Sequence, residues 1–206
     1  MMLGDESFTT AMKAGGREAE RAGRRPMGSE HLLLGLLTAR GPLLAPLVDV
    51  EPRLGEAAVR EAVERSLDDQ PYLRQLGIDP DAVLASASAE GTASEGRRLT
   101  TGGHTDDLQD ALYAAACKWH ELRASGALRR ERKVSAAVLW LAVLEPTTRV
   151  SRLLPAMGVD VDRLRAVVLT ELAADRAQTP AWPEKARPGR VDRLLDRLFR
   201  RHELAG

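Results

Sequence analysis

Pro26-Met27-Gly28-Ser29-Glu30-His31-Leu32-Leu33-Leu34-Gly35-Leu36-Leu37 is the stretch on which the fold turns. A Gly-Ser-Glu-His start runs straight into leucines. Ser29 is expected to cap a helix, because its side-chain oxygen can accept from an orphan backbone N–H. Glu30 then lies in the first turn, where the helix dipole favours a negative charge. Leu32, Leu33, Leu36 and Leu37 recur at helical spacing, and Gly41-Pro42 stops the pattern. Upstream, Asp5 to Ala22 reads as an Ala/Glu/Arg-rich helix closed by Gly23. Gly15 and Gly16 weaken it by roughly 1 kcal/mol each relative to Ala, and can permit close backbone approach. Downstream, Leu43 to Val48 reads as a short helix and Leu54 to Leu67 as a longer one.

The same order returns later in the chain. Asp107 to Ser125 has Leu108, Leu112, Ala115, Ala116, Trp119 and Leu122 on one side. A basic loop, Arg129-Arg130-Glu131-Arg132-Lys133, leads to Ser135 and an apolar helix through Leu141, with the serine again placed as a cap. Val150 to Met157 and Asp160 to Ala174 complete the set. Long helix, loop, Ser-capped apolar helix, short helix and long helix therefore occur twice, which is the mark of an internal duplication. In this alignment Ser29 pairs with Ser135. A smaller echo joins Gly77-Ile78-Asp79-Pro80-Asp81 to Gly158-Val159-Asp160-Val161-Asp162, each a glycine stop followed by an Asp cap.

The expected fold is all-α. Residues 1–175 form a domain of two pseudo-symmetric four-helix repeats, about 5–66 and 107–174. An insert, 67–106, lies between them, with a helix from Pro80 to about Ala89 and a Gly/Ser/Thr-rich stretch from Glu90 to Thr105. Pro180, Pro183 and Pro188 make 176–190 an extended linker. Val191, Leu194, Leu195, Leu198 and Phe199 share one face of a basic amphipathic helix over 191–206.

The overall composition narrows the function. Only 3% of the 206 residues are aromatic and the formal net charge is zero, so neither a general nucleic-acid binder nor a membrane-surface protein is suggested. The single cysteine, Cys117, suits a reducing cytosol. No apolar run follows the first methionines, so a cytoplasmic protein is expected. His120-Glu121 lacks the second histidine that a zinc-protease helix requires, because position 124 is Ala124. There is no phosphate-binding loop and no Gly-x-Ser-x-Gly elbow. No catalytic residue, metal or cofactor is therefore expected.

The Gly28-Ser29-Glu30-His31 motif, its leucine run, the Ala-rich helix before it and the duplication together resemble the amino-terminal repeat domain of Clp-type protein unfoldases. The resemblance is good in the first repeat and diluted in the second. It implies a domain that receives substrates, adaptors and peptide antibiotics, and does no chemistry of its own. It implies a stand-alone adaptor or decoy for a Clp unfoldase, with that unfoldase, its substrates and peptide ligands as partners. It also implies that the acid at Glu30 helps to bind phosphorylated arginine. The corresponding acid and histidine are expected at Ala136 and Ala137 and are missing. The expected ligand groove is formed by Ser29, Glu30 and the Arg24-Arg25 loop, completed by Lys133 and Ser135 of the facing turn. The competing reading is a regulatory protein that uses its basic C-terminal helix on nucleic acid or membrane.

Overall fold

The computed structural model describes residues 4–23, 26–67, 103–129 and 133–185. Among them are eight α-helices: α1 (Glu6–Arg21), α2 (Ser29–Thr38), α3 (Leu44–Val50), α4 (Glu56–Leu67), α5 (Asp106–Ala124), α6 (Ala136–Val143), α7 (Val150–Ala156) and α8 (Val161–Leu172). A short 3-10 turn, Pro52–Leu54, precedes α4. The described residues contain isolated β-bridges but no strand. The all-α expectation holds. The Pro80 helix, the stretch from Glu90 to Gly102 and the basic C-terminal helix lie outside the described residues.

The two apolar helices are the centre. Every residue of α6 is buried, and so are the residues of α2 from Ser29 to Leu37. A helix that is apolar all round has no solvent face to offer, so it must be enclosed. Leu32, Leu33, Leu36, Val138, Leu139 and Val143 are all in the core, and α2 packs against α6. Each fully buried leucine contributes roughly 1.5–3 kcal/mol over an exposed one.

Around this pair the contacts are reciprocal. Helix α1 lies on α2 as α5 lies on α6. Helix α4 supports α2 as α8 supports α6. The short helices cross over, α3 packing on α8 and α7 on α4. The chain segments before the helices cross over as well. Gly4 bridges to Val134, ahead of α6, and Met27, ahead of α2, bridges to His104. Thus each half's first helix starts beside the other half's central helix.

This exchange corrects the expected capping. Ser135 does stand at the N-cap of α6, but its side chain makes no cap bond. The Ala136 N–H instead donates to the Ser7 hydroxyl of the other half at 3.0 Å. Ser7 is held in turn by donating to Asp5, whose carboxylate also caps α1 by accepting from the Phe8 N–H. At α2 the N-cap is Gly28, and Ser29 is the first helical residue. The cap positions therefore pair Gly28 with Ser135. That moves the sequence alignment by one residue: the counterparts of Glu30 and His31 are Ala137 and Val138, not Ala136 and Ala137. The acid and the histidine are absent in either register.

The glycine pair in α1 divides. A Cβ on Gly35 would run into the backbone nitrogen and α-carbon of Gly15 and the carbonyl of Ala11, while Gly16 has nothing within 4 Å. Gly15 and Gly35 thus let α1 and α2 meet backbone to backbone.

Beyond α8 the chain from Ala174 to Lys185 carries no helix or strand, and it is fastened. The Ala174 N–H donates to Ala127, and the Thr170 and Thr179 hydroxyls are 2.7 Å apart. The Trp182 indole N–H donates to Glu145 at 2.7 Å. Both Glu145 oxygens also receive the buried Lys118 ammonium, at 2.9 and 2.7 Å.

Candidate functional site

The start of α2 is buried at the junction between the halves. Met27 exchanges backbone hydrogen bonds with Gly103 and Thr105, which sets Ser29 against the start of α5. The Ser29 hydroxyl is 3.2 Å from an Asp107 oxygen and 3.5 Å from Glu30 Oε2. It accepts from the Arg149 N–H, at the head of α7, at 3.2 Å. One serine therefore ties three helix starts together. That tertiary role explains why it does not cap its own helix.

Glu30 is buried, at 4% exposure. Its carboxylate folds back over Gly28, where any side chain would collide with it. One oxygen lies 3.6 Å from His31 Nδ1 and 3.8 Å from a guanidinium nitrogen of Arg149. Glu30 is therefore not an open carboxylate on a groove surface. His31 Nδ1 accepts from the Gly28 N–H at 3.0 Å, which assigns the ring proton to Nε2 while the histidine is neutral. Arg149 is the exposed member, with 59% of its side chain in solvent.

Asp107 is the second acid of this junction. Burial alone would raise its pKa, but the polar groups around it, the Ser29 hydroxyl foremost in the geometry and with it the nearby Thr105 hydroxyl and the backbone N–H groups of Arg149 and Leu108, outweigh it and hold the carboxyl below its ordinary range. The junction thus places two carboxylates on one serine and, among the described residues, the Arg149 guanidinium at its edge.

The other expected site residues lie elsewhere. Arg24 and Arg25 are outside the described residues. Lys133 is exposed and Ser135 half-buried, beside the Val134 carbonyl that accepts from the Asp5 N–H. That turn belongs to the α1–α6 junction, whereas Ser29 and Glu30 belong to the α2–α5–α7 junction. The α1–α6 junction opens into a cleft of about 620 Å³ whose lining includes Ser135 but not Ser29, Glu30 or Lys133. Sequence reasoning missed Asp107, Arg149 and Ser7. Asp107 carried one usable signal, its place in the first turn of a helix; Arg149 and Ser7 carried none.

No three His, Cys, Asp or Glu side chains among the described residues are grouped to hold a metal ion. Among the same residues no helix is long and apolar enough to cross a membrane.

No protein-family model matches the chain, and no curated protein sequence does. Among solved structures it is similar to the N-terminal domain of the caseinolytic protease associated chaperone ClpD from Arabidopsis thaliana. The TM-score is 0.53 at 19% sequence identity, over 82% of this chain and 93% of that one. The fold is that of a Clp amino-terminal domain.

Proposed function

We propose that this protein is a non-catalytic binding module of the Clp amino-terminal type. It presents peptides, substrates or adaptors to a Clp unfoldase–protease, or competes for them as a decoy. What carries this reading is the likeness of fold together with the place of the Gly28–Leu37 stretch at the centre of that fold.

Within this reading the Ser29–Glu30–Asp107 junction is the ligand pole, and its two carboxylates suit a guanidinium group. Arg149 already stands 3.8 Å from Glu30, so an arginine-bearing or phosphoarginine-bearing ligand enters by displacing an exposed side chain. Glu30→Ala should weaken such a ligand by roughly 1.5–3 kcal/mol. Arg149→Ala should tighten it while leaving the fold intact. The probe is a phosphoarginine-containing peptide, titrated beside its unmodified form. If Arg149→Ala leaves affinity unchanged and Glu30→Ala lowers only the melting temperature, Glu30 is structural.

The wider role is tested in a reconstituted Clp unfoldase–peptidase reaction on a fluorescent unfolded substrate. Stoichiometric addition of the chain should accelerate turnover if it is an adaptor and slow it if it is a decoy. Unchanged turnover in the presence of excess chain would remove the proposal.

A further inference from the structure

The chain after α8 is seated in the manner of a bound peptide. The Arg129 N–H donates to Leu172 and the Ala174 N–H to Ala127, which clamps the backbone as far as Ala174. An exposed turn follows, in which the Gln178 N–H donates to the Asp175 carbonyl at 3.1 Å. Among the described residues, 179–185 make no backbone–backbone hydrogen bond. Two side chains hold this stretch: Thr179, against Thr170, and Trp182, on Glu145. Trp182 is half-buried against the core, while Thr179, Ala181, Glu184 and Lys185 are exposed.

The prolines explain why the stretch needs no backbone ladder. Pro180 and Pro183 bring no N–H to satisfy, and each biases the residue before it, Thr179 and Trp182, toward extended backbone. Such a segment is stiff before it is seated, so seating it costs little conformational entropy.

The floor beneath Trp182 is selective. Glu145 Oε1 accepts the indole N–H at 2.7 Å, and Lys118 Nζ lies 5.6 Å from the ring centroid, within the range of a cation–π contact. A ring that fits must offer its face to the ammonium and an N–H on its edge to the carboxylate. Indole does both. A phenyl ring meets the first demand and leaves Glu145 Oε1 without that donor. Lys118 also donates to both Glu145 oxygens, at 2.9 and 2.7 Å, so the floor is held together by its own ion pair.

We infer that the Lys118–Glu145 pair is the floor of a peptide-recognition site. Its ligand class is a tryptophan in an extended, proline-flanked segment of another protein, and residues 179–184 occupy it in cis. Trp182 leaves by rearrangement of the exposed 175–178 turn, with every described helix in place. The tethered occupant competes at an effective concentration on the order of millimolar. The site shares no residue with the Ser29–Glu30–Asp107 junction, so the inference holds whether or not that junction binds a ligand.

The test uses the full-length chain with Trp182→Ala and Trp182→Phe. The probe is a fluorescein-labelled peptide copying residues 179–184, beside a second peptide in which its tryptophan is replaced by phenylalanine. Trp182→Ala should bind the first peptide at least tenfold more tightly than the parent does, and at least tenfold more tightly than it binds the second. Trp182→Phe keeps a ring on the core and should bind with intermediate affinity, which decides the matter if Trp182→Ala does not fold. Equal affinity of parent and variants, failure of both variants to bind, or no preference for the indole overturns the proposal. Hydrogen exchange reads local opening in the parent: the Trp182 indole N–H should be protected at least a hundredfold less than the Leu141 amide of buried α6. Equal protection would mean that the stretch leaves only when the protein unfolds, and would overturn the proposal as well. If the peptide instead dissolves a dimer of the parent, the site belongs to a second copy and the assignment to another protein is wrong.

Discussion

Glu18 in the first half and Lys118 in the second stand at the same distance from their helix caps, Asp5 and Thr105. Both are buried, yet their charges are opposite. In the first half α4 supplies Arg60, which reaches Glu18 at 2.6 Å and keeps 29% of its side chain in solvent. In the second half the chain after α6 supplies Glu145, and the strap after α8 adds Trp182, with the Lys118 ammonium 5.6 Å from its ring. The scaffold dictates that this point of the first helix is enclosed. Which charge it tolerates depends on what the neighbouring elements bring. The first pair stays half wet, and the second is dry.

The difference in hydration sets the largest expected effect. Lys118→Met strands the Glu145 carboxylate in the core with only the Trp182 N–H, and should cost about 3–5 kcal/mol. Glu18→Gln should cost clearly less, because Arg60 keeps Glu56 at 3.1 Å and its own access to water. Urea unfolding of the two variants at neutral pH decides this. Equal losses would break the comparison.

The helix crossings offer a second contrast. Under the corrected register the Gly15–Gly35 crossing corresponds to Ala115 with Ala142, and α1 meets α2 more extensively than α5 meets α6. Gly35→Ala should cost roughly 1–3 kcal/mol by overpacking against backbone atoms that cannot move aside. Ala142→Gly should cost about 1 kcal/mol, the ordinary helix-propensity difference. Matched thermal melts show whether the two crossings are as unlike as this.

A third contrast concerns the caps. Ser7→Ala removes the acceptor for the Ala136 N–H and should cost about 1 kcal/mol. Ser135→Ala, at the nominal cap, should change stability by no more than a few tenths of a kcal/mol, since its hydroxyl makes no cap bond. The reverse ranking would return α6 to its own serine.

The smallest effect is a change of slope with pH. The hydrogen bond from Arg60 holds the Glu18 pKa below its ordinary value, against the opposing effect of burial. A depressed folded pKa contributes stability that is fully present above the unfolded carboxylate value and is lost as pH falls through the folded one. The urea midpoints of the parent and Glu18→Gln should therefore differ near neutrality and converge in acid. A constant gap across that range would show that the Arg60 contact is not electrostatic.

The repeated pattern of elements was legible from the sequence because its signals are local. The Gly28–Leu37 and Ser135–Leu141 stretches are too apolar to be anything but enclosed helices, and Gly23 and Gly158 do adopt positive φ where a helix stop was read. The candidate site was legible only in part. Ser29 and Glu30 were found from their motif. Their burial was not, because it depends on Asp107 and Arg149 arriving from the second half, and no local spacing encodes that meeting. The one-residue error in alignment has the same root. Two serines looked equivalent in the chain, but in the fold one is a cap position and the other the first helical residue.

The sequence by itself determined the all-helical class and the order of the elements, because helix periodicity and stop signals act over a few residues. Only the tertiary structure decided that the halves exchange their starting segments, so that Ser7 caps α6 and Ser29 holds α5 and α7. It also decided that Glu30 folds back over Gly28 and that Trp182 closes over a buried ion pair. Those outcomes are set by the requirement that buried polar groups find partners, and here the partners come from distant parts of the chain.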